Sequence, residues 1–207
     1  MMINGEFHRL APLNLGGGYL FLTNHWPRLV LTVFLISLLA GTWVGSRIFA
    51  ASQQPQSWAD VFALVKREWP EVPQMTTQEL ARRMAEGDAS VPLLIDVRTR
   101  QEYQVSHLPG AVWGEGPRQL ENILKERTKH DVIVLYCSVG VRSSRAAARL
   151  IKSGYRRVFN LQGSIFQWAN ERRPVLRDGK PVDVVHPYDE RWGVLLDSQF
   201  HPKPNNE

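Results

Sequence analysis

The chain has 207 residues, a formal net charge of +5 and a pI near 9.6, with 43% hydrophobic and 22% charged residues, proportions ordinary for a globular protein. Its one cysteine, Cys137, excludes an internal disulfide and a multi-cysteine zinc site. The basic excess is mostly arginine, and the arginines are scattered without a helix-turn-helix, zinc-finger or RNP pattern; a field that attracts a small anion, and not nucleic acid, is the expected use.

The first element is an uncharged run, "LVLTVFLISLLAGTWVGS", at 29–46. As a helix it would be about 27 Å long at 1.5 Å per residue, close to the hydrocarbon thickness of a bilayer. It is apolar all round, and Trp26 and Trp43 lie near its ends, where interfacial aromatics sit. Two readings follow: a permanent transmembrane anchor, which the long preceding segment and Ile48 near "IFAAS" favour, and a signal peptide cleaved there. Arg9 and Arg28 before the run, against Arg47 after it, place the main domain on the extracytoplasmic side, which is the periplasm in a bacterium. "LAPLNLGGGYLFL" at 10–22 is broken by Pro12 and three glycines and is too short to span.

A stretch rich in Ala, Ser, Gln and Pro follows as a linker. In "SWADVFALVKREWP", Trp58, Val61, Phe62, Val65 and Trp69 recur at helical spacing. This helix either lies in a membrane interface or packs on the main domain. Beyond it, "TTQELARRMAEG" predicts a helix with Thr76 as N-cap, Glu79 completing a capping box and Gly87 closing it. "LLIDV" at 93–97 and "VIVLY" at 132–136 read as strands, as does "RVFNLQG". "GPRQLENILKERTK", "SSRAAARLIKSG" and "SIFQWANER" read as helices, with Trp168 in the core by its spacing from Ile165. The alternation predicts an α/β fold with an open parallel sheet flanked by helices, preceded by one transmembrane helix. Ligands of such sheets bind at the carboxyl ends of the strands, where Asp96 and Cys137 fall.

"CSVGVRSS" runs from a strand directly into a helix. Backbone N–H groups and the positive end of the helix dipole at such a junction stabilise a thiolate and lower its pKa. Gly140 permits the tight curl, Arg142 and Arg145 add positive charge, and Ser143 and Ser144 are placed to cap the helix or bond the sulfur. A free cysteine is often only a small buried hydrophobe. Here a strand end, a glycine turn, an arginine and a helix start coincide on it, which points to chemistry. The same cradle, Ser138, Val139, Gly140, Val141, Arg142 and Ser143, suits an anionic substrate.

These motifs resemble the rhodanese-like sulfurtransferases. The resemblance covers 75–175: "LIDVRTRQEYQVSHLPGAV", with Asp-Val-Arg, the Glu102 and Tyr103 pair and His107 to Ala111, and then "CSVGVRSSRAAARLIKSGYRRVFNLQGSIFQWANERRPV". Ser164 stands where the family usually has a second glycine, a change expected to alter a turn and not the chemistry. Ser138 stands where many members carry a larger residue, which bears on substrate preference. The resemblance implies that the Cys137 thiolate takes the sulfane sulfur of a small anionic donor such as thiosulfate. The persulfide then passes its outer sulfur to a thiol or cyanide-like acceptor or a partner protein, with no cofactor and no metal. Arg142 would close the loop and attract the donor, Asp96 and Arg98 would brace the sheet edge and the loop as supporting residues or form a structural ion pair, Glu102 would cap or brace the following helix, and His107 would order the "SHLPGA" turn. Related phosphatases need a loop one residue longer than the Cys-x4-Arg found here. A non-catalytic or persulfide-carrying module tethered to the membrane is the alternative. The implied organisation is a tail at 1–28, the span at 29–46, a linker with an amphipathic helix at 47–74, the rhodanese-like domain at 75–180 and a C-terminal extension at 181–207.

Overall fold

The computed structural model describes residues 57–87 and 91–203. The expected span at 29–46 lies outside the described residues; among those described, no helix is long and apolar enough to cross a membrane.

The chain begins with helix α1 (Trp58–Glu68), strand β1 (Gln74–Met75) and helix α2 (Thr77–Glu86). Strand β2 (Leu93–Asp96) leads to helix α3 (Arg100–Val105), strand β3 (Val112–Trp113) and helix α4 (Gly116–Leu124). Strand β4 (Ile133–Tyr136), helix α5 (Val141–Lys152), strand β5 (Val158–Leu161) and helix α6 (Ser164–Asn170) complete the sheet domain. A hairpin of β6 (Val175–Arg177) and β7 (Lys180–Val182) and the short helix α7 (Glu190–Gly193) follow.

The five-stranded sheet is wholly parallel, in the order β1-β5-β4-β2-β3. Its central strand β4 is buried at every residue, as a strand covered on both faces must be. Leu94, Val134 and Tyr136 point to one face, with Ile165, Phe166 and Trp168 against them. Ile95, Ile133 and Leu135 point to the other, with Leu120, Leu124 and Ala147. After β2 the chain moves outward to β3, and after β4 it moves the opposite way to β5. The carboxyl ends of β2 and β4 therefore flank a switch point, where such sheets open a crevice. Asp96 pairs in register with Tyr136, so Asp96 and Cys137 emerge at the same edge.

Local chemistry sets the ends of the helices. Ser57 and Asp60 form a reciprocal capping box on α1. The box expected on α2 is only half made: the Thr76 hydroxyl accepts from Glu79 N, but the Glu79 carboxylate is taken by Arg82 and Arg83. Gly87 ends α2 at φ 67°, a left-handed C-cap.

The domain boundaries drawn at 75 and 180 fall inside one packed unit. Val61 on α1, and Val185, Leu195, Leu196 and Phe200 beyond β7, share an apolar cluster with Leu94 and Val134. Each such side chain contributes about 1.5–3 kcal/mol when fully buried, so the flanking segments complete the core. Of the two readings of α1, packing on the domain is the one observed. Asp178 and Gly179, both at positive φ, make the turn between β6 and β7.

Candidate active site

Cys137 is the first residue after β4, and its loop is fastened from both sides. Its N–H donates to Ser164 Oγ (3.2 Å), and its carbonyl accepts from Ile165 N (3.2 Å). The Ser138 carbonyl accepts from Phe166 N at 3.1 Å. The start of α6 thus holds the start of the cysteine loop. Gly140 takes φ 111°, which turns the backbone so that its N–H donates to Cys137 Sγ at 3.2 Å. The carbonyl of Gly140 accepts from Ser144 Oγ at 2.7 Å, which ties the curl to the first turn of α5.

The thiol is 1% exposed as a residue, yet its pKa lies below the ordinary value. Burial alone pushes it up. The Arg142 charge, the Ser143 hydroxyl and the N–H groups of Ser143 and Gly140 together outweigh that push. The loop therefore favours a thiolate where burial would favour a thiol.

Ser143 Oγ lies 3.4 Å from Cys137 Sγ and 2.6 Å from Asn160 Oδ1. A hydroxyl has one proton, so these two acceptors compete for it. Asn160 is held in turn by donating from Nδ2 to Gln74 Oε1 at 2.6 Å, and Gln74 Nε2 donates to the Val72 carbonyl at 2.9 Å. The Val72 carbonyl requires a donor, so it fixes the orientation of Gln74, then of Asn160, and so the demand on the Ser143 proton.

Arg142 turns across the loop to Glu102, donating from Nη1 to Oε2 at 2.8 Å and from Nη2 to Oε1 at 2.6 Å, with a further bond from Nη2 to Ser138 Oγ at 2.9 Å. Glu102 also accepts from Thr99 N at 3.0 Å, capping α3. Its carboxyl is held down to about 2: burial raises it, and the Arg142 guanidinium, the Thr99 N–H and the Arg98 charge more than reverse that. Tyr188, from the C-terminal segment, places its ring over the Arg142 guanidinium, 4.3 Å from its centroid.

Asp96 and Arg98 are both fully buried and pair directly, with Arg98 Nη2 donating to Asp96 Oδ2 at 2.7 Å and to the Ser106 carbonyl at 2.6 Å. Asp96 also accepts from Arg98 N at 3.0 Å. The pair braces the turn between β2 and α3, and among the described residues its side chains hydrogen-bond each other and the Ser106 carbonyl, not the cysteine loop.

Val139 is buried in the core cluster and Val141 packs against it, so these two loop residues anchor the loop from below. His107 stacks flat on Tyr103, with centroids 4.0 Å apart, and pairs its backbone with Leu176, which orders the turn. Nothing in the sequence singles out Asn160 or Gln74, and of Glu102 it signals the capping or bracing of its helix, not the bond to Arg142. The capping pattern Thr-x-x-Glu was the visible signal for Glu102; nothing local signals its bond to a residue forty positions on. Ser164 sits at φ 50°, so it keeps the left-handed backbone of the glycine it replaces, and its hydroxyl reaches the cysteine loop. The replacement thus adds a contact to the loop as well as occupying a turn. Among the described residues, no group of His, Cys, Asp and Glu could hold a metal ion.

The Rhodanese-like domain family pattern matches residues 76–171. A sulfurtransferase of Allochromatium vinosum is 36% identical over 106 residues, which cover 51% of this chain and 95% of that protein. The tRNA uridine(34) hydroxylase of Photorhabdus laumondii is 29% identical over 112 residues, half of this chain but only 31% of the hydroxylase. Among solved structures, the thiosulfate sulfurtransferase of Pseudomonas aeruginosa superposes with a TM-score of 0.50 at 18% identity, covering 60% of this chain and 24% of that one, a likeness of fold. A thiol cradled between β4 and α5, on a parallel sheet whose sequence is shared along nearly the whole length of a sulfurtransferase, places this chain in the rhodanese-like family.

Proposed function

We propose that the protein is a sulfurtransferase that carries sulfane sulfur on Cys137. The observation that carries this reading is the direction of the donors in the loop: the Gly140 N–H, at 3.2 Å, and the Ser143 hydroxyl, at 3.4 Å, converge on one sulfur. They lower its pKa and would also hold the negative outer sulfur of a persulfide.

The reaction balances without a redox partner. The Cys137 thiolate attacks the outer sulfur of a donor such as thiosulfate, a sulfur–sulfur bond forms to Cys137, and the donor's own sulfur–sulfur bond breaks with sulfite leaving on its electron pair. A thiolate or cyanide then attacks the outer sulfur of the persulfide, and Cys137 leaves as thiolate. No proton is needed at Cys137 in either step if it begins ionised.

The test is the intact mass of the full chain before and after thiosulfate, then after cyanide. The reading expects the gain of one sulfur atom, absent in Cys137→Ala and removed by cyanide. An unchanged mass with a reactive Cys137 thiolate would favour a binding module. We also place the uncharged run at 29–46 in a membrane, with the domain on the extracytoplasmic side. A C-terminal reporter active only outside the cytoplasm supports that, and one active in the cytoplasm overturns it.

A further inference from the structure

A groove of about 560 Å³ runs between α4 and α5, on the face of the sheet away from α6. Its floor is apolar: Leu120, Leu124, Leu150 and Tyr155 line it. Its walls are cationic. Arg142, Arg145 and Arg149 form a stripe along α5 at spacings of three and four, so they share one helix face. Lys125 and Lys129 stand among the facing residues.

Most of this charge is unspent. Arg142 is neutralised by Glu102, and Arg127, also in the lining, lies a loose 3.9 Å from Asp131. The Arg145 guanidinium lies by the ring of Trp69 and the Lys129 ammonium over the ring of Tyr155, and neither has an ion-pair partner among the described residues. Lys125 and Arg149 have no ion-pair partner among the described residues. Among the described residues, Glu121 is the one acidic side chain in the lining. Like charges crowded along a low-dielectric wall repel one another and attract an anion to the space between them.

We propose that this groove binds a small soluble organic anion with an apolar body, the body on the leucine floor and the carboxylate, sulfonate or phosphate toward Lys125 and Arg149. The volume falls within the range of small-molecule sites. A bare inorganic anion would leave the apolar floor wet, and a neutral apolar molecule would leave the cations unpaired. The site shares Arg142 with the cysteine loop but does not depend on sulfur chemistry there.

The test is equilibrium dialysis of the full chain against 2-naphthalenesulfonate, with 2-naphthalenemethanol as the neutral match and inorganic sulfate as competitor. The sulfonate should bind at least about tenfold more tightly than the alcohol, a difference that one desolvated charge contact supplies. Arg149→Glu should weaken the sulfonate by about tenfold or more while leaving alcohol binding unchanged. Arg149 is exposed, so unaltered thermal unfolding checks that the variant folds. Cys137→Ser should bind the sulfonate as the parent does, which separates this site from the sulfur-transfer reading. Equal binding of alcohol and sulfonate, an unaffected Arg149→Glu, or displacement by sulfate at equal concentration would each overturn the proposal.

Discussion

Glu102 and Arg142 are joined by two parallel hydrogen bonds, of 2.8 and 2.6 Å, between the helix that follows β2 and the helix that follows β4. Glu102 is 3% exposed, and Arg142 is 29% exposed at its side chain. The pair closes the edge of the sheet on which Cys137 emerges. One carboxylate caps α3, holds the loop arginine and bonds Ser138, so the cysteine loop takes its shape partly from a residue on another strand's connection.

Glu102→Gln removes the charge that Arg142 needs. Breaking a buried pair from one side costs about 3–5 kcal/mol, and the partial exposure of Arg142 brings the expected loss to about 2 kcal/mol. Urea unfolding should show the midpoint lowered at an unchanged slope, and sulfur loading of Cys137 should slow, because the loop loses its outer clamp.

Stability should fall on acidification in a defined window. The Glu102 carboxyl is held at about 2 in the fold against an ordinary 4.5, so the folded state binds its proton later than the unfolded state. Its contribution is complete above 4.5 and is lost as pH falls toward 2. An acid titration of the unfolding midpoint checks this, and Glu102→Gln should flatten that part of the profile.

The rate of Cys137 alkylation should rise with pH through an inflection below that of a free thiol, since the folded loop favours the thiolate. Ser143→Ala removes one of the donors and should move the inflection upward. Asn160→Ala should move it the other way, because the Ser143 proton then has only the sulfur to serve. The second variant should also lose about 1 kcal/mol of stability, as the buried Asn160 side chain gives up its hydrogen bonds to Ser143 and Gln74. An upward shift in Asn160→Ala would show that Asn160 positions Ser143 and does not compete for its proton.

Gly140→Ala should damage the loop more than the core. The backbone stands at φ 111°, and an added Cβ would lie 3.1 Å from Asn160 Nδ2. A left-handed conformation costs a side chain about 1–2 kcal/mol before any contact is counted. Circular dichroism should keep its parent shape while persulfide formation drops steeply, because the Gly140 N–H no longer points at Sγ.

Much of this was legible in the order of residues. The runs "LLID", "IVLY" and "VFNL" and the helices between them specify a parallel sheet, because strands buried on both faces must be apolar throughout and parallel strands need crossovers. A strand that ends in cysteine, followed by a glycine turn and a helix, specifies a thiol among backbone donors. Those are local facts, set by propensity and by contacts within a few residues.

What only the tertiary structure decided lies in contacts made across the sheet. Residues from five separate segments meet at or around the loop: Gln74, Glu102, Asn160, Ser164 and Tyr188. No periodicity brings them together, because strand order and register set their distances, and these emerge only when the whole core packs. The helical spacing of α1 shows an apolar face without showing what covers it; only the packing of Val61 and Phe200 with Leu94 and Val134 makes α1 and the segment after β7 part of the core. Sequence fixes which side chains can be buried or reactive; packing decides which of them share a proton, a charge or a face.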